Sequence, residues 1–308
     1  MEGFDISGAQ QTPEVIVDQN IGDNIEIPIS DSSISNIKGL SEEELNDVNK
    51  IRITINDSSA PVVVLFGPAS CGKTMTLVRL SRYLQGQGYI LQPDRNFRPS
   101  YDKNYENLCN DFVNIVNSDD AASRTDNISF MLVKVIKNGK TICQILEGPG
   151  ELYFNPSKAQ QEWPTYVHSL LNNTALRKVF VAFVEPTYLE ESTRRNYVST
   201  FNQLKMSTDR QNYIFLYNKI DKTPFVIAPG KVHSRPAMHQ VACDYPDIFA
   251  HFKNNNPITS LWRPYNFDFV PFQTGTYTKP ASGSLVYIQA SDRYPQMLWE
   301  SLLKHIRG

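Results

Sequence analysis

The sequence predicts a three-layer α/β sandwich built on a mostly parallel sheet. Three observations carry that expectation. Residues 61–80, PVVVLFGPASCGKTMTLVRL, run as an unbroken apolar strand, stop at a glycine-rich turn and restart with helical spacing. Strand and helix patterns then alternate to the end of the chain, which is the signature of helices covering both faces of one sheet. Asn138-Gly139 joins two apolar runs and is the strongest short hairpin signal, so one edge strand of the sheet is expected to be antiparallel.

Each element can be read in order. Residues 1–47 form an acidic arm, rich in Ser, Asn, Asp and Ile without sustained periodicity, and are expected to be flexible. Within that arm Ser41 to Glu44, SEEE, is a capping box that opens a short helix. The domain proper spans 48–308, and its first segment, IRITIND, alternates like a strand. Val62 to Phe66 reads as a buried strand, and Leu77, Leu80, Tyr83 and Leu84 mark the helix after the turn. Tyr89 to Asn127 is a long polar and aromatic connection with a helix around Tyr105 to Val116. The hairpin ISFMLVKVIKNGKTICQIL follows, then the buried strands KVFVAFV and NYIFLYN, separated by a helix carrying Tyr197, Val198, Phe201 and Leu204. An insertion at about 223–284 precedes a late strand, SLVYIQAS, and Pro295 starts a terminal helix with Leu298, Leu302 and Ile306 on one face.

Composition narrows the class. The chain has 308 residues, 41% of them apolar, which is enough for one large core. Four cysteines without a framework spacing, and a start that lacks a basic-then-apolar leader, point to a reducing cytoplasm. No apolar run approaches a membrane span, and neither end carries a simple lipid-anchor motif. The net charge of −2 conceals an asymmetry: residues 1–57 hold 12 acidic and 3 basic side chains, leaving 20 acidic and 27 basic for the rest. A mildly basic body suits phosphate binding, and nothing in the motifs indicates a nucleic-acid partner.

Two motifs carry chemistry. Gly67, Gly72, Lys73 and Thr74 match G-x-x-x-x-G-K-[ST], the phosphate-binding loop. Backbone N–H groups along Ala69, Ser70, Cys71, Gly72 and on to Met75 would wrap phosphates at a helix N-terminus, with Lys73 on the outer ones and the Thr74 hydroxyl on Mg2+. Downstream, Asn218-Lys219-Ile220-Asp221 directly follows an apolar strand. Asp221 there can accept the N1 and N2 hydrogens of guanine, a pair that adenine lacks. Lys219 would lay its stem along the base, and Asn218 would fasten this loop to the phosphate loop.

With both motifs in this order, the chain resembles a Ras-like P-loop GTPase of the translation-factor-related (TRAFAC) class over about residues 58–305. The resemblance implies a P-loop NTPase sandwich with GTP or GDP and Mg2+ as its ligands. Glu147-Gly148-Pro149-Gly150 falls where that class has D-x-x-G, which gives Glu147 the metal through water and Gly150 the γ-phosphate. Here the acid is longer by one methylene. Thr125 stands where the first switch threonine would join the metal, making Thr74, Thr125 and Glu147 the implied metal set. Glu151 occupies the place of a water-orienting glutamine or histidine, so the catalytic set is Lys73, Glu151 and Thr125, and hydrolysis should be slow. Arg98 or Arg124 could reach the γ-phosphate in cis. The loop supporting the base is 289–292, with Ala290, Ser291 and Asp292, or else 273–275, with Gln273 and Thr274.

The segments GPASCGKTMTLVRL and ILEGPGE also resemble the bacterial double-GTPase families of conflict systems, which implies a partner GTPase or another protein effector. A GTP-binding scaffold without turnover and an ATP-dependent P-loop enzyme stand as the alternatives. In the insertion, His233, His239, Cys243 and His251 suggest either a zinc site or a surface for a partner.

Overall fold

The computed structural model describes residues 40–118, 130–156, 158, 160, 162–186, 190–208, 211–254, 256–278 and 286–307. Val62–Phe66 (β1) is buried along its whole length, which only a central strand can be. It pairs in parallel with Lys140–Glu147 (β4) on one side and Lys178–Val184 (β5) on the other. Parallel pairing continues from β5 to Asn212–Tyr217 (β6) and on to Asp268–Pro271 (β9). Met131–Lys137 (β3) runs against β4, and Ile90–Pro93 (β2) runs against β3, giving the order β2-β3-β4-β1-β5-β6-β9. The single reversed strand, β3, therefore lies one place in from the edge. Its turn to β4 has Asn138 at φ 51° and Gly139 at φ 74°, the left-handed pair that a tight hairpin demands.

Side chains of β1 alternate between two helical layers. Val63 and Leu65 line a small void with Leu77 and Leu80 of Lys73–Gly86 (α2) and with Leu298 and Leu302 of Arg293–Arg307 (α9). Lys103–Asn117 (α3), whose N-cap is Asp102, joins this layer beside α2. On the opposite face Phe66 meets the rings of Tyr197 and Phe201 in Glu191–Ser207 (α6) and of Tyr153 in Gly150–Tyr153 (α4). Tyr166 of Thr165–Asn172 (α5) packs edge-on against Phe130. The result is the three-layer P-loop NTPase sandwich.

Three elements differ from the sequence reading. Residues 51–57 are extended but make no ladder; isolated bonds tie them down, among them Thr54 N–H to Phe97 C=O at 2.8 Å and Arg98 Nη1 and Gln144 Nε2 to the Arg52 and Asp57 carbonyls at 2.7 Å each. The sheet edge nearby belongs to β2, which hides in the sequence because an edge strand needs only one buried face, here Leu91 and Pro93. SLVYIQAS contributes Val286–Gln289 (β11), which pairs with Gly275–Thr278 (β10) in a separate ribbon rather than in the main sheet. The place expected for it is filled by β9, whose neighbours Phe267 and Phe272 are buried.

The added material thus comes in two parts, one before β9 and one after it. The first holds a small hairpin, Val226–Ala228 (β7) with Lys231–Val232 (β8), and the helices Ser234–Asp244 (α7) and Pro257–Ser260 (α8). It is anchored in the core by aromatics: Phe249, Phe252 and Phe267 pack with Phe215 at centroid distances of 4.7 to 5.3 Å. Burial of each such ring contributes about 2–3 kcal/mol.

Glu42–Asn46 (α1) opens with the expected capping box between Ser41 and Glu44. It docks on the body through Glu44, whose carboxylate accepts from Arg98 Nη2 at 2.6 Å. Among the described residues no helix is long and apolar enough to cross a membrane.

Candidate functional site

The parallel strands β4, β1, β5, β6 and β9 all end on the same side of the sheet, where this architecture places its ligands. The phosphate loop leaves β1 and enters α2 at Gly72, which stands at φ 86° and offers no side-chain cap. Ser70 is also left-handed, at φ 60°. These turns fold the loop back on Lys73, a buried side chain whose Nζ donates to the carbonyls of Gly67 at 3.1 Å and Pro68 at 2.7 Å. Cys71 is buried in the same turn, and burial pushes its thiol up to about 12. It is a packing residue, not a nucleophile.

The base loop is joined to the phosphate loop directly. Asn218 Nδ2 donates to the Cys71 carbonyl at 2.9 Å, and a Cβ added to Gly72 would lie 2.4 Å from that nitrogen. Asn218 thus fastens the two loops together as expected. Lys219 sits in the left-handed region at φ 54° and its ammonium bonds Glu185 Oε2 at 2.9 Å. Asp221 is exposed to solvent. The Phe272–Thr274 segment following β9 lies against this loop, since Ile220 N–H reaches the Phe272 carbonyl at 3.2 Å. It in turn bonds the 290s loop, Ala290 N–H to Thr274 C=O at 3.2 Å. Ser291 and Asp292 stand on that second loop. Asp292 pairs with the buried Arg79 at 2.5 Å, while Ser291 is crowded by the Gly230 turn of the β7–β8 hairpin. The two candidate base-supporting loops are therefore stacked side by side.

At the phosphate end, Thr74 Oγ1 hydrogen-bonds Glu147 Oε1. Glu147 is only 2% exposed, and its Oε2 has no hydrogen-bond partner. Burial pushes its carboxyl up to about 7, against the smaller opposing pull of the Thr74 bond and the Lys73 charge. A buried carboxylate with one empty oxygen beside a hydroxyl is a hard-oxygen donor pair of the kind that suits Mg2+. Gly150 packs directly on the phosphate loop: a Cβ there would lie 2.2 Å from Ala69 N. Glu151, one residue on in α4, is half-buried. Met75 lies in the first turn of α2.

Several sequence expectations do not meet at this site. Thr125 and Arg124 lie outside the described residues. Arg98 is buried in a structural cluster, bonded to Glu44, Asp102 and the Arg52 carbonyl and stacked over Phe130 at 5.4 Å. Its guanidinium is committed there, so it does not serve as a finger in this arrangement. Among the described residues no group of three metal-ligating side chains forms, and the insertion offers only a Cys243–His239 contact at 3.7 Å. Glu185, which directly follows β5 and is 2% exposed, gave no reading in the sequence. Its only sequence signal is a charge directly after the apolar run Val179 to Val184.

No family model matches the chain, and no curated protein matches it. Among solved structures it is similar to a GTPase from Pyrococcus abyssi in its apo form, at 15% identity and a TM-score of 0.36. The similarity covers 80% of this chain and 98% of that one.

Proposed function

We propose that this protein is a guanine-nucleotide-binding switch that hydrolyses GTP slowly with Mg2+. The observation carrying this reading is the bond from Asn218 to the Cys71 carbonyl, which sets Lys219 and Asp221 at a fixed distance from the phosphate loop. A nucleotide spanning the two loops would need them held in one fixed relation. The third N–H of Lys73 faces only the weakly accepting Cys71 sulfur at 4.0 Å, and a phosphate oxygen would take its place. Loop N–H groups at the start of α2 favour the same anion. Thr74 and Glu147 would hold Mg2+, which when bound neutralises charge on the outer phosphates. Gly150, already against Ala69, would bring its N–H to the γ-phosphate. Thr125 would order with the triphosphate and loosen afterwards.

Turnover is the in-line attack of water on the γ-phosphorus. Glu151 is the side chain nearest in sequence to that position, and a carboxylate there repels the phosphate as well as accepting a proton. Slow hydrolysis follows from that conflict. If Glu151→Ala leaves single-turnover hydrolysis unchanged, Glu151 has no part in it, and a scaffold that binds without turning over becomes the better reading. Asp221 recognises guanine, with Ser291, Asp292 or the 273–275 segment behind the base. A cytoplasmic location and a protein effector or partner GTPase complete this reading.

The test is equilibrium binding of fluorescent GDP, GTP and ATP with Mg2+ to the wild type and Asp221→Asn. Guanine preference that the substitution abolishes is the expected result. Equal or tighter ATP binding by the wild type overturns the reading in favour of an ATP-dependent enzyme.

A further inference from the structure

Glu185 is a buried acid that the reading above does not use. It directly follows β5, the strand between β1 and β6, so it lies between the phosphate loop leaving β1 and the base loop leaving β6. One carboxylate oxygen accepts from Lys219 Nζ at 2.9 Å; the other, Oε1, is buried without a hydrogen-bond partner. Burial raises the carboxyl above its ordinary value, while the nearby charges of Lys219, Lys222 and Lys73 oppose that shift. Its backbone is fixed too, by Tyr245 Oη donating to the Glu185 carbonyl at 2.9 Å. Tyr245 caps α7, so the insertion braces this acid from outside.

A buried acid with one unsatisfied oxygen is costly and carries no evident packing role. Its consequence is geometric. Lys219 is a long side chain on a left-handed residue, and free lysine samples many rotamers. Anchored at Nζ by Glu185, its stem is tied at both ends, between the base loop and the acid after β5, before any ligand arrives.

We propose that Glu185 is a positioning residue for nucleotide binding: it pre-organises Lys219 so that the lysine stem forms one wall of the base site. This rests on the nucleotide-site reading above. The contact is to a ring face, which guanine and adenine share, and not to a base edge. Glu185 therefore sets affinity and residence time, whereas Asp221 sets the choice of base. Pre-organisation acts by removing an ordering cost from binding.

The experiment is a double-mutant cycle on the full chain with Glu185→Gln, Lys219→Met and the double variant, reading fluorescent GDP and ADP affinity and dissociation rate, with thermal midpoints alongside. Glu185→Gln keeps the shape and an acceptor oxygen, so it should fold. The expected result is dissociation roughly tenfold faster for each single variant, the scale of one charge-assisted contact. The double variant should be no worse than either single, and the GDP-to-ADP preference should stay that of the wild type. Additive losses, or a Glu185→Gln variant that binds like the wild type, overturn the proposal. A wild type that prefers ADP sinks the guanine reading alone, and the cycle is then decided on ADP. A wild type that binds neither nucleotide removes both.

Discussion

The two ends of the site can be compared through two glutamates. Glu147 closes β4 and Glu185 directly follows β5, on either side of β1, and both are 2% exposed. Each has one oxygen hydrogen-bonded and the other without a partner. They differ in what the bonded oxygen meets. Glu185 has a cation of its own in Lys219, and Glu147 has only the Thr74 hydroxyl, with Lys73 acting at longer range. A buried carboxylate without a counter-cation either takes up a proton or takes up a metal. The base end is thus electrostatically complete in the polypeptide, and the phosphate end is completed by what it binds.

The largest test of that contrast is Mg2+ dependence. Wild-type GDP affinity should fall on the order of a hundredfold when Mg2+ is replaced by chelator, the several kcal/mol that a bridging cation supplies. In Glu147→Gln the two conditions should agree within about threefold, as measured by titration of fluorescent GDP. Glu185→Gln should keep the full Mg2+ effect. Equal Mg2+ dependence in both variants would erase the distinction between the two ends.

Proton uptake gives the next effect. The Glu147 carboxyl is raised from 4.5 in the unfolded chain to about 7 in the fold, so the fold binds the proton more tightly. The associated stability is full below pH 4.5 and is lost as pH rises through about 7, to a limit of about 3 kcal/mol. Metal-free wild type should therefore lose thermal midpoint relative to Glu147→Gln between pH 5 and pH 8, by roughly 5–10 °C. Added Mg2+ should restore it at the alkaline end. A constant difference between the two proteins across that range would refute the assignment.

Gly150→Ala is expected to follow, because its Cβ would meet backbone atoms of Pro68 and Ala69 that cannot move aside. A cost of about 1–3 kcal/mol in a denaturant titration is the scale of such overpacking. The smallest change belongs to the rim. Asp292→Asn removes the charge opposite the buried Arg79 but leaves an amide oxygen to accept from it beside the Ala290 carbonyl, and the loss should be about 1 kcal/mol.

What was legible in the sequence depended on range. The phosphate loop is eight consecutive residues, Asn218 to Asp221 are four, and the hairpin turn is two; each is a local pattern with a local physical cause. The Glu185–Lys219 pair joins residues 34 positions apart, and no spacing rule encodes it. The last sheet strand was misplaced for a related reason. Residues 285–288, LVYI, are an unbroken apolar run of the kind Asp268–Pro271 lacks, whereas the selection of β9 comes from Phe267, Val270 and Phe272 meeting a core assembled from distant segments. Arg98 looked available because its partner, Glu44, lies 54 residues earlier in an arm expected to be free.

The Asn218 amide has a kinetic consequence. A ligand gripped at two independent ends leaves in two steps, and partial release is followed by rebinding. Here one side chain bolts the grips together, so shifting residues 218–221 by about an ångström would break the bond to Cys71 and loosen the phosphate end in the same motion. For the nucleotide proposed above, egress would then be a single concerted event, and a force applied to the insertion that flanks the 218–221 loop would reach the phosphates without touching them.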